Sequence, residues 1–155
     1  MLKKIIKIFL IIIWMGVIFA FSSDTGEAST KKSDSIIINI YQIFNKKELK
    51  EKDKEKIINS VVYPVRKIAH LSEYLILGFL ITSLVSEYTL IDRKAILLSI
   101  ILCIIYASSD EIHQLFSVGR SARILDVIID TIGSSIGTLF YFIIDKKLLR
   151  RKLYE

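Results

Sequence analysis

Cysteine is nearly missing from this chain. Its one thiol, Cys103, lies inside the apolar run Ala95–Ala107, so no internal disulfide can form. A lone cysteine in such a run reads as a small buried or lipid-facing hydrophobe. There is no CxxC pair, no zinc-ligand spacing, no P-loop and no internal repeat. Those absences exclude a disulfide scaffold, the common zinc modules, P-loop nucleotide hydrolysis and a solenoid. Proline occurs once, at Pro64. Charge is missing too, over long stretches and not at random.

What is there is apolar and comes in blocks. Of 155 residues 52% are hydrophobic, and the formal net charge is +6. A bilayer needs about 20 mainly apolar residues per helix. Four segments come close: residues 5–21, "IIKIFLIIIWMGVIFAF"; 66–86, around the run Ile68–Val85; 95–114, where Ala95–Ala107 gains its length by running on through Ser108–Gln114; and 124–144, "ILDVIIDTIGSSIGTLFYFII". The sequence predicts an all-α membrane protein, a four-transmembrane-helix bundle in one domain over residues 1–155. A signal peptide with Lys3, Lys4 and Lys7 as its basic region is the competing reading of the first segment. Bulky Ile18, two positions before Ala20, argues against cleavage there.

Basic residues near span ends favour the cytoplasm. Lys3, Lys4 and Lys7 precede the first span, and Arg93 and Lys94 separate the second and third. Lys146, Lys147, Arg150, Arg151 and Lys152 follow the fourth. With four spans these sites share one side, so both termini are expected in the cytoplasm. Residues 22–65 then form an extracytoplasmic loop. Its lysines weigh less in the rule because the loop is long and acids accompany them. The tract Asn45–Lys56, "NKKELKEKDKEK", reads as a solvated helix or mobile segment. Upstream, Ile36, Ile37, Ile40, Tyr41 and Phe44 form an apolar helical stripe, suited to the membrane interface or to capping the bundle.

With that topology the polar residues of four spans fall at one end. Ser22, Ser23 and Asp24 end the first span. Arg66, Lys67, His70 and Glu73 begin the second. Asp110, Glu111, His113 and Gln114 end the third. Arg120, Arg123, Asp126 and Asp130 surround the start of the fourth. Helical spacing groups Arg66, His70 and Glu73 on one face, Asp110 with His113, and Asp126 and Asp130 with Gly133 and Gly137. The last two form a GxxxG, a spacing that lets another helix approach closely. Glu73 lies on the order of 10 Å inward from Pro64. A charge at such depth costs at least about 2.5–3.5 kcal/mol. These groups must therefore pair with each other or line a polar pocket. Taken singly, each reads as well as helix glue or a cap; their convergence on one layer points to a pocket.

"FSS" at Phe21–Ser23, "RKIAHLSEY" at Arg66–Tyr74, "SDEIHQLF" at Ser109–Phe116, "GR" at Gly119–Arg120 and "DVIIDTIGSSIG" at Asp126–Gly137 resemble, in order, the motifs of the VanZ-like family of bacterial membrane proteins. The resemblance implies a multi-pass protein of the bacterial cytoplasmic membrane. The family's founding member is linked to low-level resistance to teicoplanin, a lipoglycopeptide.

Three functions are expected to compete. In the first, the pocket acts on a lipid-linked substrate of the outer leaflet. Ser22, Ser23, Arg66, Lys67, Gln114, Arg120 and Arg123 would hold the head group. His70, Glu73, Asp110, Glu111, His113, Asp126 and Asp130 would supply acid–base chemistry, with His70 or His113 paired to Glu73 or Asp110, and with Asp126 and Asp130 orienting a histidine or binding a divalent ion. In the second, the same groups bind a cell-wall precursor or lipoglycopeptide without catalysis, or serve only as glue between helices. The third, a proton or ion pathway, fits worst, because the inner halves of the spans carry almost no ionisable group. No motif names a cofactor. His70, Glu73, Asp110, His113, Asp126 and Asp130 are chemically sufficient for zinc or a harder divalent ion, but no spacing selects one. Membrane lipids are the expected partners, and nucleic acid is not.

Overall fold

The structure, a computed structural model, describes the backbone of residues 1–45, 51–88 and 93–154 and the side chains of 1–44, 53–88 and 93–145. Part of the mixed-charge tract (46–50) and the basic side chains from Lys146 onward lie outside the described residues. The chain forms α1 (Leu2–Ser22), α2 (Gly26–Asn45), α3 (Glu51–Val85), α4 (Arg93–Gln114) and α5 (Ile124–Tyr154). α1, α3, α4 and α5 are each long and apolar enough to cross a membrane.

The bundle is built on α3 and α5, which lie backbone against backbone. A β-carbon at Gly133 would strike the Leu71 carbonyl, and one at Gly137 the Leu75 carbonyl. In return, one at Gly78 would strike the Ser134 carbonyl. Lipid tails give apolar helices no reason to leave them, so such close approach is what holds spans together. Further along the seam the Thr82 hydroxyl donates to the Gly78 carbonyl at 2.7 Å and accepts from the Thr138 hydroxyl at 3.0 Å, both side chains buried.

α4 joins this pair through a stripe of small residues one turn apart. Ala95, Ser99, Cys103 and Ala107 are all buried. The stripe then turns polar at Asp110, Glu111 and Gln114, also buried. α1 buries Ile11 and Ile18 in the core and is held by polar ties as well. Trp14 Nε1 donates to the Glu73 carbonyl at 2.9 Å, and the Tyr106 hydroxyl donates to the Met15 carbonyl at 2.7 Å. Near its start, Lys7 Nζ meets Glu87 Oε1 at 2.5 Å and the Ser83 carbonyl at 2.7 Å.

The second span was expected over residues 66–86, on a helix starting near Pro64. The helix that carries it, α3, starts earlier, at Glu51, and runs through Pro64. Proline deprives the carbonyl four residues earlier, on Ser60, of its helical donor. Ser60 is exposed, so that carbonyl is not trapped in a dry interior. At 1.5 Å per residue the 35 residues of α3 reach about 52 Å. A hydrocarbon core of about 30 Å leaves the first several turns standing beyond it.

α2 packs beside this projecting part of α3 and buries Ile37. The stripe read from Ile36 to Phe44 is therefore the second half of a helix twice as long. Thr25 starts it, accepting from the Ala28 amide at 3.2 Å, with Glu27 in the first turn.

Candidate functional site

The polar end of the bundle encloses two adjoining cavities, of about 660 and 260 Å³. Arg66, His70 and Arg120 line both, and so form the partition between them.

The larger cavity is basic. Arg66, Lys67, Arg120 and Arg123 line it, with Gln114 and Asp126, and with Lys31 from α2. Lys67 forms an ion pair with Asp126 that ties α3 to α5. Among the described residues, no carboxylate lies within ion-pair distance of Arg66, Arg120 or Arg123. Arg120 spends one donor on the Phe21 carbonyl at 3.1 Å, and its Nε is buried without a partner. Burial pushes its guanidinium below the ordinary arginine value, and nearby Arg66 acts in the same direction. An arginine still stays charged at neutral pH.

The smaller cavity lies between α1 and α3. Ile18, Phe21, Ile36, Val65 and Ala69 give it apolar walls, while Ser22, Glu73 and Asp110 give it acceptors. Asp110 Oδ2 accepts from Gln114 Nε2 at 3.3 Å. Asp110 Oδ1 and Ser22 Oγ are buried and have no partner.

Behind the partition His70 Nδ1 faces Asp130 Oδ1 at 3.6 Å, and Asp130 is fully buried. Of the acids expected beside a histidine, Glu73 or Asp110 as acid–base partner and Asp126 or Asp130 as the orienting group, it is Asp130 that faces His70. Such a pair can fix an imidazole's orientation and steady its charged form, leaving the other ring nitrogen for chemistry.

Two other expected groups have a different local role. Glu111 is buried, and its Oε2 accepts from the Arg123 amide at 2.8 Å, just before α5 begins. There it satisfies a backbone donor and faces the positive end of the helix. His113 and Ser23 line neither cavity. His113 stacks on Phe19 with ring centroids 4.3 Å apart, and its Nε2 is 3.1 Å from Ser23 Oγ. Ser23 donates its proton to the Phe19 carbonyl at 2.7 Å, so the imidazole is the donor to Ser23. This pair fastens the end of α1 to α4.

The possible metal donors are dispersed. Among the described residues, no three His, Cys, Asp or Glu side chains gather to hold a metal ion. Asp126 is committed to Lys67, Asp130 stands behind His70, and His113 faces α1.

Sequence reasoning missed the wall that α2 contributes. Gly26, Thr30 and Lys31 border the larger cavity, and Ser29, Lys32, Ser33 and Ile36 the smaller. The Gly26 amide donates to the Val118 carbonyl at 3.0 Å, and a β-carbon on Gly26 would come within 2.5 Å of the Gly119 carbonyl oxygen. Gly119 has φ +76°, which favours glycine. The available signal was Thr25 followed by Gly26 and Glu27, a cap with an acid in the first turn.

A family model described as VanZ/LLP1 matches residues 7–145. The chain belongs to the VanZ/LLP1 family. That match contains every residue lining the two cavities of this VanZ/LLP1 protein. No curated protein and no solved structure matches the chain.

Proposed function

We propose that this VanZ/LLP1 protein sits in the bacterial cytoplasmic membrane and binds the anionic head group of a lipid-linked or lipoglycopeptide molecule in its larger cavity. The observation that carries the reading is three guanidiniums, on Arg66, Arg120 and Arg123, lining one cavity without a carboxylate partner among the described residues. Like charges so placed repel each other until an anion arrives, and the arginine fork suits phosphate or carboxylate. The positive-inside rule supports an outward-facing cavity. Lys3, Lys4, Lys7, Arg93 and Lys94 all lie toward the opposite end of the bundle. Teicoplanin protection is the cellular effect that the family's founding member suggests.

A catalytic step on the same head group is the second reading, favoured by His70 and Asp130. His70 lines both cavities, so a bound phosphate at the partition would lie beside its ring. Lys67 with Asp126, and Glu111 through its one bonded oxygen to the Arg123 amide, serve as glue.

The test is binding of dihexanoyl phosphatidylglycerol to protein purified in dodecyl maltoside. Loss of a charge-assisted contact worth about 1.5–3 kcal/mol should weaken affinity on the order of ten- to hundredfold in Arg66→Gln and in Arg120→Gln. Affinities equal to wild type would sink the proposal. In a susceptible host at matched membrane levels, wild type should protect against teicoplanin and both variants should not.

A further inference from the structure

The smaller cavity carries a charge problem that an anion alone does not solve. Glu73 and Asp110 line it, with no ion pair to Arg66 or Arg120 although both arginines share the same lining. Asp110 is 3% exposed and neighbours the equally buried Ser22 hydroxyl, yet neither Asp110 Oδ1 nor Ser22 Oγ makes a hydrogen bond within 3.5 Å. Asp24, at the rim, is already paired with Lys32 at 2.6 Å. An anion among the arginines neutralises the basic side and leaves two carboxylates in the membrane's outer layer. Burying a carboxylate without a partner is among the costlier arrangements a protein can hold.

Resting on the anion-binding reading, we propose that the two cavities form one bipartite site for a zwitterionic head group, a phosphate joined to a primary amine. The phosphate lies at the partition, between Arg66 and Arg120. The ammonium enters the smaller cavity and donates to Asp110 Oδ1 and Ser22 Oγ, with Glu73 supplying further negative charge. Phe21 and Ile36, both about half exposed on the smaller cavity's lining, give the chain of a membrane amphiphile an apolar mouth to leave by. A quaternary ammonium has the same charge but no N–H, so Asp110 and Ser22 distinguish the two by hydrogen bonding.

Full-length protein in dodecyl maltoside is titrated with dihexanoyl phosphatidylethanolamine, phosphatidylcholine and phosphatidylglycerol, and with free phosphoethanolamine. The single tryptophan, Trp14, reports binding, because its indole is bonded to the Glu73 carbonyl. The ethanolamine lipid should bind on the order of ten- to hundredfold more tightly than the choline lipid. Asp110→Asn should remove that preference, while phosphatidylglycerol, freed of a nearby negative charge, should bind at least as tightly as to wild type. Ser22→Ala, a smaller perturbation, should reduce the preference in part. Phosphatidylglycerol binding with no preference for ethanolamine over choline overturns this inference and leaves the anion reading standing. Failure of all three lipids overturns both. Free phosphoethanolamine binding as tightly as the lipid overturns the assignment to a membrane amphiphile.

Discussion

The seam between α3 and α5 makes the sharpest structural prediction. In Gly133→Ala the new methyl meets the carbonyl of Leu71, and no rotamer change can move a carbonyl aside. The two helices must part, or the backbone must bend. Overpacking of this kind costs about 1–3 kcal/mol. For a chain of this size each kcal/mol is worth about 2–4 °C, so melting should fall by about 2–12 °C. Gly16→Ala is the control. Nothing lies within 4 Å of a β-carbon there, in the middle of α1. Relief of glycine's conformational freedom should then stabilise by about 0.5–1 kcal/mol. Cys103 is the single thiol and is 1% exposed, so labelling by a thiol-reactive dye during heating reads unfolding directly. Leu71→Ala added to Gly133→Ala should not rescue stability, since the obstacle is main chain. If Gly133→Ala melts at the wild-type temperature, or if Leu71→Ala restores it, the backbone-to-backbone seam is wrong.

Lys67 and Asp126 are both mostly buried, so Asp126→Asn alone, leaving the ammonium unpaired, should cost toward the low end of about 3–5 kcal/mol. The double variant Lys67→Met, Asp126→Leu should recover much of that loss, measured by the same dye assay. At the other end of the bundle, the Lys7 ammonium bonded to Glu87 holds its carboxyl below the usual glutamate value. A carboxyl depressed in the folded state contributes stability above its unfolded pKa of about 4.3, and loses it as pH falls through the lower folded value. Wild type should therefore lose melting temperature between about pH 5 and 3 more steeply than Glu87→Gln; parallel pH profiles would refute the contact.

The spans were legible because apolar blocks of membrane length have few other uses. The polar layer was legible because ionisable residues of four segments fell at one end, and helical spacing then put Asp126 and Asp130 on the GxxxG face. Pairing was not legible. Spacing tells which face of one helix a residue occupies, not how far a neighbouring helix is rotated against it. Spacing allowed Asp126 or Asp130 to orient either histidine, but it did not say that Asp130 meets His70 or that Lys67 takes Asp126. His113 shows the limit of face arguments. Three residues turn a helix by about 300°, so Asp110 and His113 sit about 60° apart. That is enough for one to be buried in the bundle and the other to stack on Phe19 of α1. Pro64 misled for a different reason. It is a fair first-turn residue, but the helix here tolerates its missing donor because the orphaned Ser60 carbonyl is on an exposed residue.

The two ends of the bundle differ in how they treat charge, and that difference argues for a ligand. At the Lys7 end a cation and an anion are brought to 2.5 Å and the account closes locally. At the cavity end Arg120 and Asp110 line the same space, as do Arg66 and Glu73, yet neither pair is made. Plain helix glue would have closed them, because an unpaired charge inside a bundle of membrane-spanning helices is costly. Lys67 with Asp126 shows that the same elements do pair opposite charges elsewhere in this layer. Charges of both signs held apart around empty volume cost stability in the free protein. Their arrangement is explained if a bound molecule supplies the missing partners, with its negative part facing the arginines and its donors facing Asp110 and Ser22.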